Sequence, residues 1–332
     1  MNLSKLPKIL ANQPSYRLKQ IKKEVYANLV QDWKEASSLP LSLRKKLNKE
    51  CPLAINARTF ISKDKKTIKA VISLTDKLNI ETVLMRQKER YTACVSTQVG
   101  CPLGCLFCAT GKIGFKRNLT ADEIIEQVIF FARRLKKSSE KVNRVVFMDM
   151  GEPLLNFDNS IKAIQILNDP EGFNLGQRKI SLSTIGIPDL IKKFADLKTE
   201  VNLAISLHAP EDRLRQKLMP ASKQYPLKEI LKAVDYYLAK TNRKVMFEYL
   251  MINKVNDQVK WAEKIASLLK NRLCMVNLIA YNPTGDFEPS TRIQIERFKQ
   301  VLQNQGIETT QRYSFGQDIK AACGQLAMEA KT

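Results

Sequence analysis

Three closely spaced cysteines are the residues of this sequence best suited to chemistry. Cys101, Cys105 and Cys108 lie in the segment GCPLGCLFCATG with the spacing Cys-x3-Cys-x2-Cys. Gly104 and Gly111 give this loop the freedom to bring three thiolates onto one small object. Structural zinc normally takes four protein ligands, whereas three thiolates leave one iron of a [4Fe–4S] cluster open for a substrate or cofactor. The spacing therefore favours an iron–sulfur cluster, with zinc as the alternative.

The remaining cysteine and histidine content indicates a reducing compartment. The chain has 7 cysteines, an odd number, and its 1 histidine is His208, so a disulfide framework is not expected. No apolar run approaches the ~18 residues of a membrane span. The opening residues, MNLSKLPKILANQPSY, lack the apolar stretch of a secretory signal. We expect a cytoplasmic protein with no membrane partner.

The elements around the cysteine loop alternate between strands and helices. A predicted strand at 93–97 directly precedes the loop, and Thr120 with Glu123 forms a capping box that opens the next helix. Further strands are predicted at 144–148, 180–184, 201–207, 244–251 and 275–281. Further helices are predicted at 160–167, 188–196, 227–240, 258–270 and 292–305. Six β/α units over about 215 residues predict an α/β fold, a parallel barrel or open sheet with ligands at the strands' carboxyl ends.

The charge of the chain indicates a polyanionic partner. There are 55 lysines and arginines against 33 aspartates and glutamates, a formal net charge of +22, which makes RNA or DNA the leading candidate. The helical spacing of apolar residues at 16–25 and 41–47 lies in a basic stretch. We predict a basic helical accessory domain that binds RNA over 1–52, an extended β linker over 53–90, and the β/α unit over 91–332.

The cysteine spacing, at the head of a β/α series, resembles that of the radical S-adenosylmethionine (SAM) superfamily. Its members fold as a (βα)6 partial barrel similar to a TIM barrel. The resemblance implies two cofactors, a [4Fe–4S] cluster and SAM, with the amino and carboxylate groups of SAM on the open iron. An electron from the cluster then splits the sulfonium to give a 5′-deoxyadenosyl radical, so the cofactor supplies the difficult step.

Six segments in unbroken order make the resemblance more specific. They are ACVSTQVGC, FCATGKIGFKRNLT, MGEPLLN, LSTIGIP, ISLHAP and DIKAACGQLA. Together they resemble the RlmN-type RNA adenine carbon-2 methyltransferases over nearly all of residues 81–328. The resemblance implies methylation of an adenine in the peptidyl-transferase region of 23S rRNA, and of the adenine 3′ to the anticodon in some tRNAs.

The resemblance also assigns residues to SAM. These are Gly151, Glu152, Ser183, Ser206, Leu207, His208 and Asn282. Each lies at or just beyond a predicted strand end, where the ligands of a barrel collect. Asp149 departs from the family, which usually carries glycine at this position, and a carboxylate there could repel the carboxylate of SAM.

Two further cysteines and a glutamate occupy the positions of the family's catalytic residues. Carbon 2 of adenine is an electrophilic carbon with no lone pair, so direct polar methyl transfer is not available. The resemblance implies that the thiolate of Cys323 takes a methyl group from one SAM, and that a radical formed from a second SAM activates this methyl group. Cys94 then forms a transient disulfide with Cys323 that releases the base, and Glu81 acts as the acid/base carboxylate. Cys51 and Cys274 are expected to be buried and inert.

Two alternatives stay open. A Cfr-type enzyme, which acts on adenine carbon 8, resembles the chain throughout, but Val99 and Pro153 match the carbon-2 group better. A non-catalytic iron–sulfur protein that binds RNA would not need Cys94 or Cys323. We further expect an electron donor such as flavodoxin, a monomer, and an RNA contact at residues 115–117, Phe-Lys-Arg.

Overall fold

The computed structural model describes residue 1, residue 3, residues 5–285 and residues 287–326. The end of the predicted unit over 91–332 therefore lies outside the described residues. Within them, the main sheet has ten strands in the order β1-β2-β3-β4-β7-β8-β9-β10-β11-β12, and β5 and β6 form a small second sheet. The strands are β1 Ala57–Ile61, β2 Thr67–Ser73, β3 Asn79–Gln87, β4 Arg90–Cys94, β5 Gln98–Gly100, β6 Phe115–Asn118, β7 Arg144–Phe147, β8 Ile180–Thr184, β9 Asn202–Ser206, β10 Val245–Met251, β11 Cys274–Ala280 and β12 Thr309–Arg312.

The main sheet is parallel from β4 to β12 and antiparallel from β1 to β4. Because β1 and β12 lie at opposite ends of the strand order, the sheet stays open, as expected for a partial barrel. The prediction of six parallel strands joined by helices is confirmed. The strand β1 and the seventh parallel strand, β12, were not predicted.

The first parallel strand ends three residues earlier than predicted. The ladder of β4 ends at Cys94 rather than at residue 97. The chain continues beside the end of β7, because the amide of Val95 donates to Val146 (2.9 Å) and the amide of Thr97 donates to Met150 (2.8 Å). This irregular continuation leads into the cysteine loop.

The α-helices are α1 Leu6–Leu10, α2 Tyr16–Lys22, α3 Leu41–Glu50, α4 Ala109–Lys112, α5 Ala121–Lys136, α6 Phe157–Asn168, α7 Pro188–Asp196, α8 Asp212–Leu218, α9 Leu227–Thr241, α10 Val259–Leu269 and α11 Arg292–Asn304. The helices α1 to α3 precede the sheet, α4 lies in the cysteine loop, and α5 to α11 lie in the connections between the parallel strands. The predicted capping box opens α5, since the amide of Glu123 donates to the hydroxyl of Thr120 (3.2 Å) and the amide of Thr120 donates to the carboxylate of Glu123 (2.9 Å). Such reciprocal bonds satisfy two amides that the first turn leaves without partners.

The N-terminal helices are attached to the β/α unit through α5. Arg133, a buried residue of this helix, donates to the carbonyl oxygen of Leu53 (2.8 Å) and to that of Val30. Trp33 is fully buried and donates to the carbonyl oxygen of Cys51 (2.6 Å). Buried polar groups of this kind keep their place only when they are hydrogen-bonded, so these contacts fix how the helices sit on α5.

Candidate active site

The carboxyl ends of the parallel strands open into one cavity. Most of the residues predicted for the site line it: Cys94, Cys101, Cys105, Cys108, Gly151, Glu152, Ser183, Ser206, His208 and Cys323. Glu81, Leu207 and Asn282 are not part of this lining. The location agrees with the rule that parallel β/α folds bind ligands at the strands' carboxyl ends.

The cysteine loop folds back on itself within a few residues. The amide of Cys108 donates to the carbonyl oxygen of Cys105 (3.1 Å), and Cys108 is the N-cap of α4. A Cβ atom at Gly111 would lie 2.9 Å from the backbone nitrogen and oxygen of Cys105. Glycine is therefore required at this position, because any side chain would push α4 away from the loop.

The three thiols of the loop form one electrostatic group. Burial raises the pKa of Cys101 to about 12 and also raises the pKa values of Cys105 and Cys108, and charge on Cys108 raises the pKa values of the other two. Within the described residues, no group of three or more histidine, cysteine, aspartate or glutamate side chains is arranged to hold a metal ion. All three thiols nevertheless line the cavity, and such soft donors deprotonate when a cation binds. These residues fit an iron–sulfur cluster.

The loop after β7 is held by Glu152. Its two carboxylate oxygens accept hydrogen bonds from the amides of Leu154 (3.0 Å) and Ile185 (2.7 Å). Burial raises the pKa of Glu152 to about 7, although these donors lower it. Gly151 has a φ of +102°, and a Cβ atom there would lie 2.6 Å from Cβ of Gln98. The Gly-Glu pair thus joins the ends of β7 and β8 and leaves lone pairs of the carboxylate for an ammonium group.

His208 lies beyond β9 as a neutral, oriented ring. Its Nδ1 accepts a hydrogen bond from the amide of Leu250 (3.1 Å), so its proton is on Nε2. Burial, and to a lesser extent Arg215, lowers the pKa of His208 to about 3. The ring stands edge-on to Phe107 of the cysteine loop, with 5.0 Å between centroids. His208 therefore contacts the loop as an uncharged donor.

Arg215 is a functional residue that was not predicted from the sequence. It is fully buried, and its guanidinium donates to the carbonyl oxygens of Ile185, Ser206 (3.3 Å) and Tyr225 (3.1 Å). These carbonyl groups lie just after β8, at the end of β9 and before α9, so one planar cation fixes three loops of the site. A solvent-exposed arginine on α8 is the ordinary expectation, and no signal in the sequence identified this one.

Residues 320–326, here called the terminal segment, carry Cys323 to the cavity and contact the cysteine loop. The carbonyl oxygen of Cys323 accepts from Asn282 (3.0 Å), that of Gly324 from the amide of Ala109 (2.7 Å), and that of Leu326 from the hydroxyl of Thr110 (2.7 Å). Asn282, predicted as a SAM contact, thus holds this segment instead of lining the cavity. Cys323 is exposed because it faces the open cavity, although protein surrounds it on the other sides.

Cys94 and Cys323 share one cationic neighbour, Arg312 at the end of β12. Burial raises the pKa of Cys323 to about 11 and that of Cys94 well above its ordinary value, while Arg312 lowers both. In return, the two thiols and Glu248 raise the pKa of Arg312 against the effect of burial. Arg312 was also missed, because the strand that carries it was not predicted. It is placed to favour the thiolate form of either cysteine.

Glu81 lies on β3, beside the cavity wall rather than on it. It is 1% exposed, not a solvent-facing residue, and its carboxylate lies 3.3 Å from the ammonium group of Lys69. Its backbone is fixed by Ser96, whose hydroxyl donates to the carbonyl oxygen of Glu81 (2.6 Å). Asp149, at the end of β7, does line the cavity. The strand β3 therefore brings a carboxylate up to the same region as Cys94 and Asp149.

The family model described as "Radical SAM superfamily" matches residues 95–265. With the parallel sheet and the three-thiol loop, this match defines the protein as a radical SAM enzyme. A protein from Dictyoglomus turgidum named "Probable dual-specificity RNA methyltransferase RlmN" is 46% identical over 316 residues, covering 95% of this chain and 91% of the relative. One of the same name from Geobacillus kaustophilus is 43% identical, covering 96% and 88%. The chain belongs to the RlmN family.

A solved structure agrees with this assignment. The crystal structure of a radical SAM methyltransferase from Sphaerobacter thermophilus is 43% identical, with a TM-score of 0.93, and the match covers 98% of this chain and 97% of that one. The resemblance predicted from the sequence is confirmed, and so is the (βα)-type partial barrel. No helix in the described part of the chain combines the length and apolarity needed to cross a bilayer.

Proposed function

We propose that this protein methylates carbon 2 of an adenine in 23S rRNA, and of the adenine 3′ to the anticodon in some tRNAs, with Cys323 as the methyl carrier. One observation supports this above all: Cys94 and Cys323, which are far apart in the sequence, line the same cavity as the three thiols of the loop. A protein that used a cluster only for structure would not need this arrangement. The names of the relatives, dual-specificity RNA methyltransferases, support RNA as the substrate.

Cys101, Cys105 and Cys108 would hold a [4Fe–4S] cluster, and Glu152, Ser183, Ser206 and His208 would bind SAM beside it. A cluster held there would supply the electron that cleaves SAM, and so a radical able to remove a hydrogen atom from a methyl group. The side chains of the protein bind and orient SAM. Glu152 would accept hydrogen bonds from the N–H groups of the SAM amino group, and neutral His208 would offer its Nε2 proton as a donor without repelling the sulfonium charge.

Cys323 and Cys94 carry the methyl group and release the product. With Arg312 favouring its thiolate, Cys323 attacks the methyl carbon of a first SAM and takes the methyl group, and S-adenosylhomocysteine leaves. After the activated methyl group has bonded to carbon 2, Glu81 takes the proton from this carbon, and the adduct radical gives up one electron to the carrier that supplied the electron for SAM cleavage. Lys69 forms an ion pair with the buried carboxylate of Glu81 (3.3 Å) and so fixes its position. Cys94 then attacks the sulfur of Cys323, which breaks the bond between this sulfur and the bridging carbon. The bridging carbon keeps the electron pair and takes up a proton to become the product methyl group, and external thiols reduce the resulting disulfide.

We further propose that the N-terminal basic helices grip RNA and that the protein acts in the cytoplasm as a monomer, with a flavodoxin-like donor. Lys23, Lys45 and Lys46 are exposed and available for phosphates. Lys22 is less suitable, because it lies 3.8 Å from the carboxylate of Asp169. Each lost phosphate contact should reduce the slope of log affinity against log salt by about 1. Unchanged affinity and slope in a variant with all three lysines neutralised would contradict this role.

Of the three residues predicted to contact RNA at 115–117, we retain Phe115 and Lys116 and leave out Arg117. The guanidinium of Arg117 is bound to the carboxylates of Asp76 (2.7 Å) and Glu123 (2.9 Å). Phe115 is 44% exposed, and Lys116 is exposed as well. The contact proposed here therefore consists of base stacking on Phe115 and a phosphate on Lys116.

The deciding experiment is anaerobic incubation of the cluster-loaded protein with methyl-labelled SAM, a reductant and an unmodified rRNA fragment. Mass spectrometry should find the label first on Cys323 and then on carbon 2 of one adenine. Cys323→Ala should abolish both signals, while Cys274→Ala, a buried cysteine of β11 away from the cavity, should retain both. Label on carbon 8, or methylation by Cys323→Ala, would overturn the proposal.

A further inference from the structure

Asp149 is a half-buried residue that follows β7 and lines the active-site cavity. Both of its carboxylate oxygens are shielded from water, and within the described residues neither has a side-chain hydrogen-bond partner. The amide of Met150 lies near enough to lower the pKa of Asp149, but this amide donates to the hydroxyl of Ser96 (3.2 Å). Buried polar atoms in native proteins are almost always paired, so an unpaired carboxyl on a ligand cavity points to a ligand that pairs with it.

The groups around Asp149 define the chemistry of that ligand. Those that interact with it electrostatically are Glu81, Lys69, Cys94, Cys323 and Cys108. Lys69, which pairs with Glu81 (3.3 Å), is the cation whose charge lowers the pKa of Asp149. Burial, and then the charge of Glu81, raises the pKa of Asp149 well above its ordinary value. A neutral carboxyl presents one acceptor oxygen and one O–H donor side by side.

We propose that Asp149 binds the target adenine by its Watson–Crick edge, accepting a hydrogen bond from the exocyclic amino group and donating one to N1. This inference rests on the proposed function. Adenine offers a donor and an acceptor side by side on this edge, the pattern that asparagine and glutamine match on its other edge. Carbon 2 is bonded to N1, so the reacting carbon lies next to the carboxyl. The thiols that carry out the chemistry on this carbon, Cys94 and Cys323, line the same cavity.

SAM also carries donors, but the surroundings of Asp149 favour the base. The charge of Glu81 acts on Asp149, and Asp149 in turn acts on Cys94 and Cys323 as well as on Cys108 of the cysteine loop. We assign Glu81, Cys94 and Cys323 to the chemistry on the base. Asp149 therefore belongs to the part of the cavity that handles the base. It acts there as a substrate-binding residue that selects adenine and orients carbon 2.

The test compares two RNA fragments that differ only in the exocyclic amino group of the target base. One carries adenosine at the target position, and the other carries purine riboside, which lacks the exocyclic amino group. Equilibrium binding is measured with the cluster-loaded protein and SAM but without reductant, so that no turnover occurs. Wild-type protein should bind the adenosine fragment more tightly by roughly fivefold or more, the lower end for a bidentate base contact.

Two variants of Asp149 should differ in this preference for the adenosine fragment. Asp149→Ala should bind the two fragments equally, whereas Asp149→Asn should keep the preference, because its amide also pairs an acceptor with a donor. Asp189→Ala is the matched control, since it removes one carboxylate that is 97% exposed and should leave the preference intact. The affinity for SAM should be the same in all four proteins.

Two results would overturn the proposal. A wild-type preference retained by Asp149→Ala would show that the carboxyl does not contact the amino group. Weaker SAM binding in Asp149→Ala with an unchanged RNA preference would place the contact on SAM. The proposed function fails separately, if the wild-type protein with reductant methylates neither RNA, and the binding comparison still decides the role of Asp149.

Discussion

The ammonium nitrogen of Lys69 lies 3.3 Å from Oε1 of Glu81, and the two side chains are only 7% and 1% exposed. Lys69 also donates to the carbonyl oxygen of Lys320 (3.3 Å) in the terminal segment. A buried ion pair of this kind is sensitive to the loss of one partner, because the other charge then remains buried without compensation. This pair connects β2, β3 and the segment that carries Cys323.

Lys69→Met should therefore lower the free energy of unfolding by about 3–5 kcal/mol. Lys69→Met combined with Glu81→Gln should recover much of this loss, because no uncompensated charge remains. Urea unfolding of the anaerobic protein, followed by circular dichroism, measures both. Equal stability of the wild-type protein and the single variant would contradict this account of the pair.

Arg312 should control the reactivity of Cys323. Since Arg312 lowers the pKa of Cys323, which burial raises to about 11, Arg312→Met should raise this pKa further and move the pH profile of alkylation to higher pH. Below the pKa, a rise of the pKa by about one pH unit slows alkylation about tenfold, because the thiolate fraction falls by that factor. Iodoacetamide labelling with peptide mass spectrometry gives the rate at Cys323 alone. Arg312→Lys keeps the charge and should alkylate at close to the wild-type rate, and an unchanged rate in Arg312→Met would exclude this role.

Cys94→Ala should trap RNA on the protein. Without the thiol of Cys94, nothing attacks the sulfur of Cys323, and the base stays attached through the bridging carbon. A denaturing gel should show a covalent protein–RNA band that needs both SAM and reductant. The double variant Cys94→Ala, Cys323→Ala should show no band, and free methylated RNA from Cys94→Ala would contradict the assignment of Cys94.

His208 should make the fold sensitive to acid. Its folded-state pKa of about 3 lies below the value of about 6.5 in an unfolded chain. Its contribution is therefore complete above pH 6.5 and is lost as the pH falls toward 3, by up to about 5 kcal/mol. His208→Asn keeps an acceptor for the amide of Leu250 and suits the φ of +53° at this position.

The measurement is the difference in unfolding midpoint between wild type and His208→Asn from pH 4 to pH 8. The wild-type protein should lose more stability than the variant on the acid side. Parallel pH profiles of the two proteins would show that His208 does not remain neutral in the folded state.

Much of the fold follows from local signals in the sequence. Pro188 at the first turn and the apolar spacing behind it give α7 the predicted bounds, Pro188–Asp196. The two missed strands of the main sheet are short. The strand β1, ARTFI, has no buried residue, and β12, TTQR, has one. Neither has an apolar pattern of its own, and each takes its strand conformation from its neighbour.

The sequence motifs predicted the thiols and the loops of the site, but not the buried lysine and arginine side chains around them. Lys69, Arg215 and Arg312 are buried or enclosed by groups that come from distant parts of the chain. Lysine and arginine are normally exposed, so their burial depends on tertiary partners that a single sequence does not reveal. The sequence identified Asp149 only as a departure from the family. That its carboxylate oxygens are buried without a side-chain partner is seen only in the structure.

The turn that presents the thiol of Cys108 also anchors the last described residues of the chain, through Ala109 and Thr110. Under the proposed function, one turn would therefore position both the cluster thiol of Cys108 and the methyl carrier Cys323. A substitution that disorders this turn would then impair both radical generation and methyl transfer.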